Sequence, residues 1–396
     1  MCKDFGFELV FVAILYAVGL AACGVSALRE RPEAGSGGAG STGAGVGGSQ
    51  SAAAGGASGV HDAAGMDQLP DAGGQPDTSS GDSGDASDAR GETAGDARDE
   101  VPADAVSEAR ADAIASTCSS CTSWGQPAAV GPSPSALVEL SGLAASHAHP
   151  GILYGHNDSG DTARFFALTE LAHVDAELHL MGDPTATDWE DVSVGPCPAG
   201  SCVYIGDTGD NDINRTQYVI HRVVEPATLP TDGSVVTVSY ESFPFVYPQN
   251  QSHNAETLLV HPVTGQVFII IKETGIAATV YEMPLPLQAG QQVTLTKIAS
   301  LTVPVADGVV TDGSFHPCGD RLLIRTTSTT GLFELTRGAG QSLTALFTAT
   351  PVMVPVAVEP QGESVTYALD GRRYFTGSET VKNMPVPNIS VVTCQD

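Results

Sequence analysis

The sequence predicts an all-β chain closed into a β-propeller of four-stranded blades, and three observations predict it. A unit of strand, Pro/Gly turn, strand and acidic or hydroxyl-bearing corner recurs five times from Leu137 onward. The corners at Asp158, Asp207, Glu273, Thr329 and Glu379 are spaced by 49, 66, 56 and 50 residues, and the turns keep step with them. Between the units there is no helical periodicity, only further short apolar strands.

Each unit opens with a strand that starts at a small or acidic residue and ends in a turn. These are Ser141–Gly151, Glu190–Pro196, Glu256–Gly265, Asp312–Gly319 and Glu363–Gly371. An apolar strand then runs into the corner, as in Val203-Tyr-Ile-Gly-Asp-Thr-Gly209 and Val267-Phe-Ile-Ile-Ile271. A third strand follows, such as Arg164–Leu168 or Gln217–Val223, and outer strands such as Val235–Tyr240 and Val293–Ile298 complete most units at four. This counts to five blades, and a six-bladed ring, with the long second unit hiding another blade, is the alternative. The last unit ends at Asn388–Cys394 one strand short, so residues around Cys121 to Val138 are expected to supply the strand that closes the ring.

The domain assignment runs in three parts. Residues 1–22 read as a signal peptide, with an apolar run over 9–20 ending in Leu20-Ala21-Ala22-Cys23. Residues 23–116 are Gly/Ser/Ala-rich and then acidic, too poor in large apolar side chains to bury a core, and are expected to be a disordered linker. Residues 117–396, about 280 of them, suffice for one large β domain.

With 46 acidic against 17 basic residues the formal charge is -29, which argues against nucleic acid and anionic lipid as partners and for a cation. Cysteines in an exported chain point to disulfides. Cys197 and Cys202 bracket a hairpin tip and are expected to pair. Cys118, Cys121, Cys318 and Cys394 allow three pairings, among which the sequence does not choose.

The acids gather where a propeller would bring them together. Residues at the starts of the first strands, among them Asp188, Glu190, Asp191, Glu256, Asp312 and Glu363, should share a rim with corners carrying Asp158, Asp161, Asp207, Asp210 and Glu273. Such oxygen donors suit calcium or another hard cation. The runs Asn157–Asp161 and Asp207–Asp212 alternate acids with small residues as calcium loops do, without the full EF-hand spacing. The candidate metal ligands are therefore Asp158, Asp161, Glu190, Asp207, Asp210, Asp212, Glu256 and Asp312. The competing reading is that each acid caps its own corner through backbone N–H groups, with Arg164 and Arg215 as clamps. His149, His261 and His316 precede prolines in equivalent turns on the opposite face and read as structural, whereas His156 and His253 lie near the rim. No Gly-x-Ser-x-Gly elbow or phosphate-binding glycine loop is present.

Three resemblances add to this. The Leu-Ala-Ala-Cys23 ending resembles the lipobox of bacterial lipoproteins, which implies cleavage before Cys23, its lipidation, and tethering to a lipid membrane in the cell envelope, facing outside the cytoplasm. An uncleaved anchor over 7–27 is the alternative. Ser141-Gly-Leu-Ala-Ala-Ser146, His156-Asn-Asp-Ser-Gly-Asp161, Asp188-Trp-Glu-Asp191 and Gly206-Asp-Thr-Gly-Asp-Asn211 resemble a group of secreted bacterial propellers without an assigned activity. More distantly, the architecture is similar to calcium-dependent propeller phytases and gluconolactonase-type propellers. The first would need basic side chains that this rim lacks. The second implies a central metal held by residues such as Glu190, Glu256, Asp312 and Asn157. The expected function is a membrane-tethered binding module for a protein or glycan ligand with a calcium-binding rim. The alternative is a metal-dependent lactonase or esterase.

Overall fold

Runs such as Phe268-Ile-Ile-Ile271 are buried along their whole length, so both faces of the sheets they join must be covered. A ring of sheets meets that demand, since every sheet packs its two faces on two neighbours. The computed structural model describes residues 121–272, 277–303 and 308–396. The segment 1–22, Cys23, the linker 23–116, Cys118 and the corner residue Glu273 lie outside the described residues.

Five sheets form the ring. Blade 1 contains Leu140–Ala145, Ile152–Asn157, Arg164–Thr169 and Val174–Leu180. Blade 2 contains Trp189–Cys197, Gly200–Asp207, Tyr218–Val224 and Glu241–Val246. Blade 3 is Ala255–Val260, Val267–Ile271, Ala277–Glu282 and Thr296–Thr302, and blade 4 is Val310–Phe315, Arg321–Thr326, Leu332–Thr336 and Val352–Met353. Blade 5 takes Gly362–Tyr367, Arg373–Ser378 and Asn388–Thr393 from the end of the chain and Ala128–Pro132 from its beginning. The strand missing from the last unit thus comes from the stretch expected to supply it.

Each apolar cluster of the core lies between two neighbouring blades. Trp189, Tyr154 and Phe165 share one between blades 1 and 2, and Tyr204, Tyr247 and Ile269 share another between blades 2 and 3. The ring is held shut by the Ala128–Pro132 pairing and by a disulfide from Cys121 to Cys394, 273 residues apart. Cys197 is bonded to Cys202, and Cys318 is also in a disulfide.

The outer strands depart from the expected order. Ser234–Val238 does not complete blade 2 but runs parallel to Val174–Leu180, as a fifth strand of blade 1. Val293–Thr294 likewise adds to Glu241–Val246 of blade 2, while Thr296–Thr302 completes blade 3. The extra length of the second unit therefore covers the neighbouring blade's edge and does not build a sixth blade. Covering an edge strand removes unpaired backbone groups from solvent, a need of the assembled ring that no single unit's sequence displays.

The first strand of each blade runs from one face of the ring to the other, where the turns carry His149, His261 and His316. His261 Nε2 lies 3.1 Å from Gly319 O, and His316 Nε2 3.1 Å from Gly371 O, each reaching the next blade's turn. Burial pulls the pKa of both down, to about 4 for His261. They are neutral fasteners between turns, donating to those carbonyls through Nε2–H. The Cys121–Cys394 disulfide lies on this same face, so the described chain begins opposite the acidic face.

Candidate cation site at the mouth of the channel

One irregularity, repeated five times, builds the site. In every first strand the pairing slips by one residue, between Leu140 and Gly142, Trp189 and Asp191, Ala255 and Thr257, Val310 and Asp312, and Gly362 and Ser364. A bulge of this kind re-aims the extra side chain. The extra residues are Ser141, Glu190, Glu256, Thr311 and Glu363, and they make one ring around the mouth of the channel. A second ring comes from the corners, where the N–H groups of Asp158, Thr208, Lys272, Thr327 and Glu379 donate to the carbonyls of Glu139, Asp188, Asn254, Val309 and Gln361. Among the described residues the acids of these two rings fall on blades 1, 2, 3 and 5, and blade 4 contributes only Val309, Thr311 and Thr327.

Within this crescent Asp158, Asp188 and Glu190 each offer an oxygen, all within 4.8 Å of one another. Two other groups of His, Cys and acid atoms among the described residues are as close, but both include cysteines held in disulfides. Glu190 is only 2% exposed, and its Oε1 has no hydrogen-bond partner. Such a bare buried oxygen is costly unless a cation or proton meets it. Gly209 leaves the room: a Cβ there would sit 2.2 Å from Glu190 Oε1 and 2.4 Å from Asp188 Oδ2.

Beside the triad, Glu256 is bonded to the Lys272 ammonium through Oε1, while its buried Oε2 has no partner. Glu363 and Glu379 adjoin them, and the charge of Lys272 acts on both. Burial and mutual repulsion make these acids hard to ionise. Asp188 is pushed up to about 6, by burial and then the charge of Asp158. Glu256 is raised to about 8 by burial despite Lys272, and Glu379 to about 8 by burial and Glu363. Glu190 lies well above the usual carboxylate range, through burial and then Glu256, and burial also raises Asp158 and Glu363. Burial pulls Lys272 down, but the charges of Glu256 and Glu363 outweigh it and hold its pKa above the ordinary lysine value.

The remaining candidates are placed elsewhere. Asp161 is engaged by Arg164 at 2.9 Å and by Asn157 Nδ2 at 2.7 Å. Asn157 Oδ1 accepts from Glu139 N. Asp207 accepts from the N–H groups of Thr187 and Asp188 and pairs with Arg215 at 2.7 Å. Asp210 accepts from Asn214 N, Arg215 N and Tyr218 Oη, and Asp212 is exposed. Asp207 and Asp210 therefore brace the loop that shapes the mouth, with Arg215 Nη1 also donating to Gly209 O at 2.6 Å. His156 is fully buried against Trp189, with burial pulling it down to about 4. His253 packs edge-on against Tyr247.

Asp312 lies deeper, hydrogen-bonded to Asp191. Asp191 accepts from Val192 N and from Leu258 N of the next blade, both at 2.6 Å. Asp312 repeats the pattern with Gly313 N and Val365 N. Burial raises both carboxyls well above their usual range, and a shared proton is the natural state of the pair. Both carboxylates are fully buried, so no water-filled channel runs on past them from the mouth.

Sequence reasoning singled out the acids but not their partition. Asp188 and Glu363 were visible as rim acids and Glu379 only as a corner of the repeat, yet only the bulges and corners decide which of them meet. The place of Lys272 between two glutamates follows from the blade 3 corner lying beside the blade 3 bulge.

The fold and this site define a five-bladed β-propeller with an acidic, dead-ended mouth. No protein-family model matches the chain, and neither does any curated protein. Solved structures similar to it include an auxiliary nutrient binding protein from Bacteroides thetaiotaomicron, at 9% identity and a TM-score of 0.35, covering 68% of this chain and 72% of that one. The β-propeller domain of Cps50 (Swd1) from Myceliophteria thermophila is similar at 9% identity and 0.35, over 65% and 84%. A luciferin-regenerating enzyme is similar at 11% and 0.36, over 67% and 92%. Likenesses this low in identity and superposition carry no function over to this chain.

Proposed function

We propose that the chain is a membrane-tethered, extracytoplasmic binding module whose propeller mouth holds a divalent cation, calcium foremost, through Asp158, Asp188 and Glu190. The observation that carries this is the partnerless, buried Glu190 Oε1 beside two further carboxylates within 4.8 Å. An all-oxygen donor set suits a hard cation, and waters or ligand oxygens would fill its other positions. Tethering rests on the lipobox-like sequence at Cys23, and the acidic mouth is where a protein or glycan partner would meet the ion. A cation bound only by the folded chain must raise the thermal midpoint. Millimolar calcium should therefore raise the full chain's midpoint over that in chelator, and Glu190→Gln should abolish the rise. Equal shifts in wild type and variant would place the ion elsewhere.

Metal-dependent hydrolysis of a lactone or ester has one observation in its favour. The Glu379 carboxyl, pushed up to about 8, adjoins the same cluster and could exchange a proton near neutral pH. Calcium-dependent turnover of such a substrate, lost in Glu379→Gln with calcium binding retained, would favour the enzyme over the binding module.

A further inference from the structure

The carboxylates of the mouth divide into two groups, and among the described residues only one is in direct contact with a cation of the protein's own. Lys272 Nζ contacts Glu256 Oε1 and interacts with Glu363 and Glu190. Its position is set by the fold: Lys272 N donates to Asn254 O at 2.8 Å, the same corner bond that places Asp158 in blade 1 and Glu379 in blade 5. An ammonium at this corner therefore stands where two other blades present a carboxylate. Its partner Glu256 is 5% exposed and keeps Oε2 without a hydrogen-bond donor, while Glu190 keeps Oε1 bare on the other side. Two unpartnered, buried carboxylate oxygens thus remain after the lysine has bonded.

From this arrangement we infer that Lys272 is a tethered cation filling a second metal position, between Glu256 and Glu363, and so restricts the mouth to one divalent ion. Two divalent ions and an ammonium among these acids would repel one another across a poorly solvated mouth, where charge interactions are much less screened than in water. Without the ammonium, the bare oxygens of Glu256 and Glu190 would be left to a second hard cation, with Glu363 nearby. Lys272 is in this sense a stoichiometry-determining residue, and its flexible stem distinguishes it from a buried arginine clamp such as Arg325, which is paired with Glu359 at 2.9 Å.

The inference rests on the triad reading, and the test separates the two. Calcium bound by the full chain would be measured by equilibrium dialysis at one free calcium concentration, for wild type, Lys272→Met, Lys272→Arg and the Glu190→Gln/Glu256→Gln double variant. Any calcium held elsewhere in the chain is common to all four and cancels in the differences. Wild type and Lys272→Arg should bind one ion more than the double variant, and Lys272→Met two more. Where Lys272→Met does not fold, judged by circular dichroism, Lys272→Gln takes its place. A Lys272→Met or Lys272→Gln protein that binds only as much calcium as wild type overturns the tethered-cation role while leaving the triad intact. A wild type no different from the double variant overturns the triad itself.

Discussion

Cation binding at the mouth should release protons, and the structure sets the size of the effect. Asp188 titrates at about 6 and Glu190 well above the usual carboxylate range, so at neutral pH the triad holds at least part of a proton that a metal must displace. Ligand protonation reduces apparent affinity by the fraction of the site still ionised. For Asp188 alone that fraction rises about tenfold between pH 5 and pH 7, an upper bound because the group is partly exposed and solvent screens it. If Glu190 must also lose its proton, affinity gains up to another factor of about ten per pH unit until that group has ionised. Calcium affinity should therefore climb steeply from pH 5 to pH 8. Isothermal titration calorimetry of the full chain in two buffers of different ionisation heat should report roughly one proton released per ion near pH 7. Asp188→Asn should weaken binding and flatten the pH 5 to 7 part of the curve. An affinity independent of pH, with the same apparent heat in both buffers, would refute the claim that these buried acids are the ligands.

Two further perturbations test the frame around the mouth. The folded-state pKa values of Asp191 and Asp312 are raised, so the stability their pair gives is fully present below the unfolded carboxylate pKa and is lost as pH rises through the folded values. Asp312→Asn, which keeps a donor towards Asp191 without a titrating proton, should reduce that alkaline loss, read as urea midpoints across pH 5 to 9; an unchanged slope would show that the pair shares no proton. Cys394→Ser opens a link between residues 273 apart, and chain entropy sets its cost at up to about 5 kcal/mol. Urea unfolding of oxidised wild type against the variant measures it, and equal midpoints would mean that the Ala128–Pro132 strand closes the ring unaided.

The ring was legible because its rhythm is local. Pro/Gly turns and corner residues recur in step, and the unit that ends short at Cys394 announces that a strand must come from elsewhere. The outer strands were not legible, because Ser234–Val238 reads the same whether it completes its own blade or covers the one before. At the mouth, the sequence pointed to Glu190, Glu256 and Asp158 as rim acids. Whether Asp207 and Asp210 faced a ligand or their own loop depended on Arg215, Asn214 and Tyr218, which meet them only once the corner is folded. The separation of Asp312 from Glu363, both first-strand acids, depends on the slip in pairing at each bulge. The slip leaves Glu363 among the extra residues and puts Asp312 one place further along its strand, into the pair with Asp191. No spacing between the units encodes that step.

The most direct test uses the tryptophan already at the site. Trp189 stands between Asp188 and Glu190 in the chain, and the chain's other tryptophan, Trp124, pairs with Cys394 on the opposite face. Terbium, a hard cation with oxygen preferences like those of calcium, should emit on tryptophan excitation when added to the full chain, and calcium should quench the emission by displacement. The account predicts that Glu190→Gln and Gly209→Ala both lose this emission while keeping the wild-type circular dichroism. Undiminished emission in both variants would contradict a cation site at the mouth.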